Sequence, residues 1–239
     1  ENQNLSILLL DPDDKKKNDR TWCFWESGPG FYEDIVIKKW DKVIFRADGY
    51  ESFMDISPFT YKMIKGIDFY TYNKELLSTK KNLQWKPEKV INIAESENIA
   101  TVQTDSGQYT STMVFTSIPV MMKNGIPEKY HFMLQHFKGW EIRTSSPAFD
   151  PEKPVFMDFE TDQKGETRFF YVLPYDDKNA LIEYTVFSPS MLEDSAYDLQ
   201  LKDYIHRHLG DQTYEIVHVE KGAIPMTDIP IPAKNGERI

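Results

Sequence analysis

Cysteine is almost missing from this sequence. Cys23 is the single one in 239 residues, so no internal disulfide can form, and the chain fits a reducing cytosol. Long apolar runs are missing too: no stretch of about 18 such residues occurs, so no bilayer-spanning helix is expected. Clustered positive charge is lacking. The net charge is −10 and the longest basic block is Lys15-Lys16-Lys17, which excludes a phosphate-tracking surface and nucleic acid as a partner. Histidines at metal-ligand spacing are also lacking. His131 and His136 stand five apart, and His206 and His208 point apart on a helix, so no metal site is expected. Finally, no Gly-x-Gly-x-x-Gly occurs. That loop would follow the first strand of a dinucleotide fold and offer backbone N–H groups to a pyrophosphate. The sequence opens on Glu1 and enters a strand within a few residues, as expected of a chain that begins partway through its protein.

What is present is an ordinary globular balance, 40% hydrophobic and 28% charged, with a high 14% aromatic share. Such richness suits a large apolar ligand or a core built on Phe and Tyr. Leu5–Leu10 is a continuous apolar run ending at Asp11, which predicts a strand of a parallel sheet buried on both faces. Trp40–Phe45 predicts another strand. Ser57 as N-cap with Pro58 at the first helical position predicts a helix through Leu77, with Gly66 as a weak point.

Short strands are expected near Leu83–Trp85, Lys89–Ala94, Ile99–Thr104 and Gln108–Phe115, with Asp105-Ser106-Gly107 as a hairpin turn. Strand, helix, then β-meander is the order of a flavin-binding domain wrapped around an inserted β-region. The second half predicts an antiparallel sheet from Phe132–Thr144, Val155–Thr161, Thr167–Leu173 and Ala180–Phe187, with a turn at Asp176–Asn179. A helix over Leu192–Leu209 stops at Gly210, and a last strand covers Tyr214–Val219.

Four places carry candidate chemistry. Asp11 closes the apolar run LLLD, as the acid that bonds a ribose hydroxyl does in a dinucleotide fold. Asn18–Glu26 (NDRTWCFWE) packs Trp22, Phe24 and Trp25 beside Arg20, whose guanidinium could take a phosphate or a salt bridge. Cys23 lies between those aromatics and reads as packing rather than a nucleophile. In Val155–Asp162, alternation puts Phe156, Asp158, Glu160 and Asp162 on one face, with Glu160 solvated. In Ala180–Phe187, Glu183 shares a face with Leu181, Thr185 and Phe187, while Ile182, Tyr184 and Val186 take the other. An acid among apolar neighbours is desolvated and kept as a proton donor; a rim glutamate paired with a lysine fits the same pattern.

These segments carry a resemblance. NDRTWCFWE, Gln135–Thr144 (QHFKGWEIRT), Phe149–Gln163 with Arg168–Pro174, Leu181–Thr185 (LIEYT) and, more weakly, Gly222–Thr227 (GAIPMT) resemble bacterial flavin-dependent lycopene β-cyclases in order and spacing. The resemblance implies a mixed α/β fold: a partial FAD-binding Rossmann-like domain with an interleaved antiparallel-sheet substrate domain. Residues 1–33 and 57–120 would form the first, 34–56 and 121–221 the second, and 222–239 a return segment.

It also implies an enzyme that converts lycopene end groups to β-rings through a carbocation, using reduced FAD with NAD(P)H as electron source and no metal. Glu183 falls on the family's catalytic acid, with Asp158 as electrostatic support. Tyr184 replaces an often acidic neighbour. Asp11 and Arg20 would contact the cofactor, and Trp22, Phe24, Trp25, Trp140, Phe170 and Tyr184 would line the substrate site. A polyene substrate implies a cytoplasmic protein held at the membrane surface. Without the glycine loop, this length of chain is expected neither to retain flavin nor to catalyse. The alternatives are a related monooxygenase or isoprenoid reductase, and a non-catalytic carotenoid- or lipid-binding module.

Overall fold

A computed structural model describes residues 5–117, 128–230, 234 and 236–239. The chain divides into two compact units, Glu1–Lys16 with Tyr70–His131 and Asp228–Ile239, and Lys17–Phe69 with Phe132–Thr227. In the first unit β1 (Ile7–Leu10) runs parallel to β7 (Leu83–Lys86), from Ile7 opposite Leu83 to Leu10 opposite Lys86. Strands β8 (Val90–Glu95), β9 (Ala100–Thr104) and β10 (Gln108–Ser111) form an antiparallel meander turned at Asp105–Gly107. The parallel pairing agrees with the sequence, but burial on both faces does not. Ile7 and Leu9, which share one face of β1, are exposed, while Leu8 and Leu10 on the other face are partly buried.

The second unit holds the long sheet, in the order β15-β11-β14-β13-β12-β4-β5. These strands are β4 (Lys42–Ala47), β5 (Tyr50–Asp55), β11 (Phe132–Thr144), β12 (Val155–Asp158), β13 (Thr167–Pro174), β14 (Asn179–Ser188) and β15 (Tyr214–Thr227). Side chains alternate along them, so the sheet makes two cores. On one face Trp140, Ile142, Phe170, Ile182, Tyr184 and Val186 meet helix α2 (Asp194–Leu209) through Tyr197, Leu201, Tyr204 and Ile205, one helical stripe at i, i+4, i+7 and i+8. On the other face Leu173 and Leu181 join a cluster with Trp40, Tyr61 and Met63. Those last three belong to the small sheet of β2 (Thr21–Glu26), β6 (Thr60–Lys65) and β3 (Lys38–Trp40).

The expected helix from Ser57 is overturned. Thr60–Lys65 is β6, with Tyr61, Lys62, Met63 and Ile64 all buried, and Ser57-Pro58 is a cis peptide bond. A segment that pairs on both sides, with β2 and β3, spends its backbone hydrogen bonds on strands and has none for a helical turn. Helix α1 (Gly66–Ser78) begins at the glycine that read as its weak point. The reason is close approach: a Cβ on Gly66 would stand 2.8 Å from the Arg20 carbonyl oxygen, which accepts the Gly66 N–H at 2.8 Å. Gly66→Ala is therefore expected to lower the urea midpoint by an amount equivalent to about 1–3 kcal/mol, the usual cost of overpacking. Equal midpoints would remove this reading of the glycine.

Residues 17–33 and 57–69 belong to the second compact unit, where β2 is hydrogen-bonded to β6. Residues 222–227 extend β15 along β11 rather than starting a return segment, with Phe132 opposite Thr227.

Candidate active site

Alternation in β14 turns Glu183 and Leu181 to the face that carries Tyr171 and Leu173, as its sequence indicates. What lies beside Glu183 was not expected. The neighbouring strand β11 places Gly139 opposite Glu183 on one side and opposite Glu220 of β15 on the other. A Cβ on Gly139 would come within 3.0 Å of Leu181 Cδ1, 3.1 Å of Glu220 Cγ and 3.5 Å of Glu183 Cβ. Glycine thus leaves room for two carboxyls to meet over an intervening strand, and they hydrogen-bond to each other. Thr185 Oγ1 donates to Glu183 Oε1 at 2.8 Å and Thr21 Oγ1 donates to Glu220 Oε2 at 2.8 Å.

Both carboxyls face a cleft of about 530 Å³ within the second unit, walled by Thr21–Cys23 of β2, by Tyr61 and by Tyr171. That volume is in the range of small-molecule sites. Burial raises the pKa of Glu183 well above the ordinary carboxyl range, and the neighbouring charge of Glu220 raises it further. Burial also raises Glu220, which is 3% exposed, although the hydrogen bond from Thr21 works the other way. The pair therefore keeps a proton near neutral pH. Among the described residues Glu183's partners are Glu220 and Thr185, not a lysine, which resolves the alternative open in the sequence. Burial also holds the phenols of Tyr61 and Tyr171 neutral and pushes the Cys23 thiol up to about 12. Cys23 is a packing residue hydrogen-bonded to Tyr61, not a thiolate.

A pH effect follows from these signs. Below the ordinary carboxyl range Glu183 is protonated in both the folded and the unfolded chain. As pH rises through that range the unfolded chain ionises while the folded one resists, so stability falls until the folded group ionises as well. Glu183→Gln removes this loss. The variant's melting temperature should gain on the unsubstituted protein between acid and mildly alkaline pH, and parallel curves would contradict the shift.

The other sequence candidates part company. Trp140, Phe170 and Tyr184, expected to line the site, are buried in the α2-facing core on the side of the sheet opposite Glu183. Phe170 stacks on Tyr204 with ring centroids 3.9 Å apart, and Tyr184 accepts a hydrogen bond from Arg168 at 3.1 Å. Period-two geometry excludes them from the cleft. Asp158 is also on that side, fully buried, accepting from Tyr204 at 2.7 Å and lying 3.3 Å from Arg46. A β-bulge explains this: three steps from Val155 to Asp158 match two steps from Val172 to Phe170, so Asp158 no longer shares a face with Phe156. Glu160 is exposed, as expected.

In β2, Trp22 and Trp25 point to opposite faces. Trp22 borders the cleft, its ring beside Arg20 at 5.8 Å and Phe69 at 5.7 Å, whereas Trp25, on the face of Cys23, packs on Tyr61 and Phe156 at 4.7 and 5.1 Å. Phe24 pairs with Lys62 outside the cleft. Arg20 also lines the cleft, its fork engaged by Asp19 at 2.9 and 2.6 Å. Asp11 ends β1 in the first unit, its carboxylate 3.1 Å from Lys15 and accepting the Asp13 N–H at 2.9 Å. No group of three or more His, Cys, Asp or Glu residues that could hold a metal occurs among the described residues. Glu220 escaped the sequence reading because its strand was expected to end at Val219. An acid following Ile216-Val217-His218-Val219 was the available signal.

The family model described as lycopene cyclase protein matches residues 1–238. The chain belongs to the lycopene cyclase family. No curated protein matches the sequence of this family member. Among solved structures it is similar to a geranylgeranyl bacteriochlorophyll reductase-like protein from Thermoplasma acidophilum. That similarity has a TM-score of 0.62 and 10% identity, over 93% of this chain and 60% of that one. The p-nitrophenol 4-monooxygenase of Pseudomonas putida DLL-E4 gives TM-score 0.60 and 13% identity, over 94% and 62%. The flavin-dependent brominase Bmp2 gives 0.58 and 12%, over 94% and 62%. The cyclase-family chain therefore has the expected mixed α/β fold, Rossmann-like in part, and spans 60 to 62% of the length of these structures.

Proposed function

We propose that this chain carries the proton-donating site of a flavin-dependent lycopene β-cyclase. One observation carries the reading: Glu183, a carboxyl that burial keeps protonated, opens onto a cleft bordered by Trp22, Tyr61 and Tyr171. Closing a linear isoprenoid end group begins with protonation of its terminal double bond. The tertiary cation that results is attacked by the neighbouring double bond, and loss of a ring proton leaves the β-ring. Glu183 supplies the first proton. The faces of Tyr61 and Tyr171 suit the cation, because aromatic rings attract positive charge and these phenols carry no charge of their own. Apolar walls limit the water that would trap it.

Asp11 fits the acid that receives a flavin ribose hydroxyl, since it ends a strand of parallel pairing with its carboxylate half-exposed. Reduced flavin, when bound, supplies electron density that stabilises positive charge without net redox change, with NAD(P)H as its source of electrons. A polyene dissolved in lipid brings a cytoplasmic protein to the bilayer surface, and among the described residues no helix is long and apolar enough to cross one.

Product mass tests the assignment. The full-length protein, loaded with flavin and given lycopene, should yield a cyclic isomer of unchanged mass. Oxygenated or hydrogenated product would replace the cyclase reading with true redox chemistry, and recovery of bound but unaltered lycopene would replace it with a binding module.

A further inference from the structure

The cyclisation needs a proton at its start and releases one at its end, yet the cleft holds a second carboxyl to which the acid alone assigns no task. Glu220 is nearly inaccessible and is anchored by the Thr21 hydroxyl, while Glu183 keeps surface open to the cleft. Gly139 keeps the space between them clear. We propose that Glu183 and Glu220 act as one carboxyl pair sharing a single proton, in which Glu220 is the positioning residue that keeps that proton on the cleft-facing Glu183. Resting on the cyclase reading, the step balances as follows. The O–H bond of Glu183 breaks as a C–H bond forms on the end group. After ring closure, a ring C–H bond breaks, its electron pair becomes the new double bond, and the proton returns to the pair.

Two adjacent buried anions are costly, so the pair left after the first transfer is a strong proton acceptor and no outside base is needed. The direction of sharing follows from the hydrogen bonds. Thr185 donates one hydroxyl to Glu183, whereas Thr21 donates both its hydroxyl and its backbone N–H to Glu220, which favours ionised Glu220 and leaves the proton on Glu183. The titratable groups that face the pair are Cys23 of β2, Tyr61 of β6, Glu141 of β11, and Tyr171 with Tyr175 at β13. Burial keeps Cys23 and the three tyrosines neutral through the physiological range. Glu141 is paired with Lys65 at 3.5 Å.

Infrared titration of carboxyl bands on the intact protein tests the pair without substrate. The unsubstituted protein should release the pair's protons in two separated steps, and Glu220→Gln and Glu183→Gln should each leave one step between them. A remaining step that coincides with the upper step of the unsubstituted protein would show independent carboxyls and overturn the proposal. Thr21→Val, which keeps both carboxyls, should also move the two steps if Glu220→Gln fails to fold. An unchanged titration in that variant overturns the proposal as well.

In turnover by the full-length, flavin-loaded protein, Glu220→Gln should lower kcat at least about tenfold with KM unchanged and move the alkaline limb of the pH profile to lower pH. A merely structural role would lower the melting temperature and leave that limb in place. If the unsubstituted full-length protein, loaded with flavin, cyclises no polyene, the cyclase reading fails, while the titration still decides the pair.

Discussion

The full-length protein carrying Glu183→Gln is expected to fold, retain its flavin and form no measurable β-rings. Loss of a positioned general acid typically costs about 10²- to 10⁴-fold in rate, and an amide has no acidic proton to give. Glutamine keeps the volume of the carboxyl and can still accept from Thr185 Oγ1, which donates to Glu183 at 2.8 Å. The core beneath it on the α2 side is untouched. Carotenoid extracts from lycopene-producing cells, resolved by chromatography, measure the effect directly. Normal cyclisation by this variant would remove Glu183 from the chemistry and, with it, the main support for the proposed function.

Phe170→Ala should give the reverse outcome: a large loss of stability with no loss specific to the chemical step. Phe170 is fully buried, stacked between Tyr184 at 4.7 Å and Tyr204 at 3.9 Å, on the sheet face that packs α2. Truncating such a residue removes its burial and leaves a cavity between rings too large to collapse into it, a cost of about 3–5 kcal/mol. Urea unfolding followed by circular dichroism reads this as a lower midpoint with α2 among the helical signal lost. A variant of unchanged stability that binds substrate poorly would return Phe170 to the site wall where the family resemblance places it.

The two substitutions, thirteen residues apart on paired strands β13 and β14, separate what local pattern reveals from what it conceals. The face of Glu183 was legible, because period-two alternation in LIEYT is a local property and β14 has no bulge. The face of Asp158 was not. One extra residue between Val155 and Asp158 reverses the side chain, and nothing in VFMD announces a bulge. The resemblance implies a lining role for Phe170 and Tyr184, but aromatic residues suit a core equally well, and only the position of α2 decides between them. The helix expected from Ser57 failed for a related reason. Its cap and proline are local signals, whereas strand pairing of Thr60–Lys65 on both edges is a long-range contact that outweighs them.

By itself the sequence determined the family, through segments whose order and spacing extend over most of the chain. It determined the mixed α/β class, the parallel pairing of the LLLD strand and the face on which Glu183 sits, all consequences of short-range periodicity. Tertiary structure alone brought Glu220 to Glu183, which lie thirty-seven residues apart and on strands that do not touch. Their meeting depends on β11 entering between β14 and β15 with Gly139 in register with both. Register is set by the sum of many contacts along a sheet, and no single stretch of sequence encodes it.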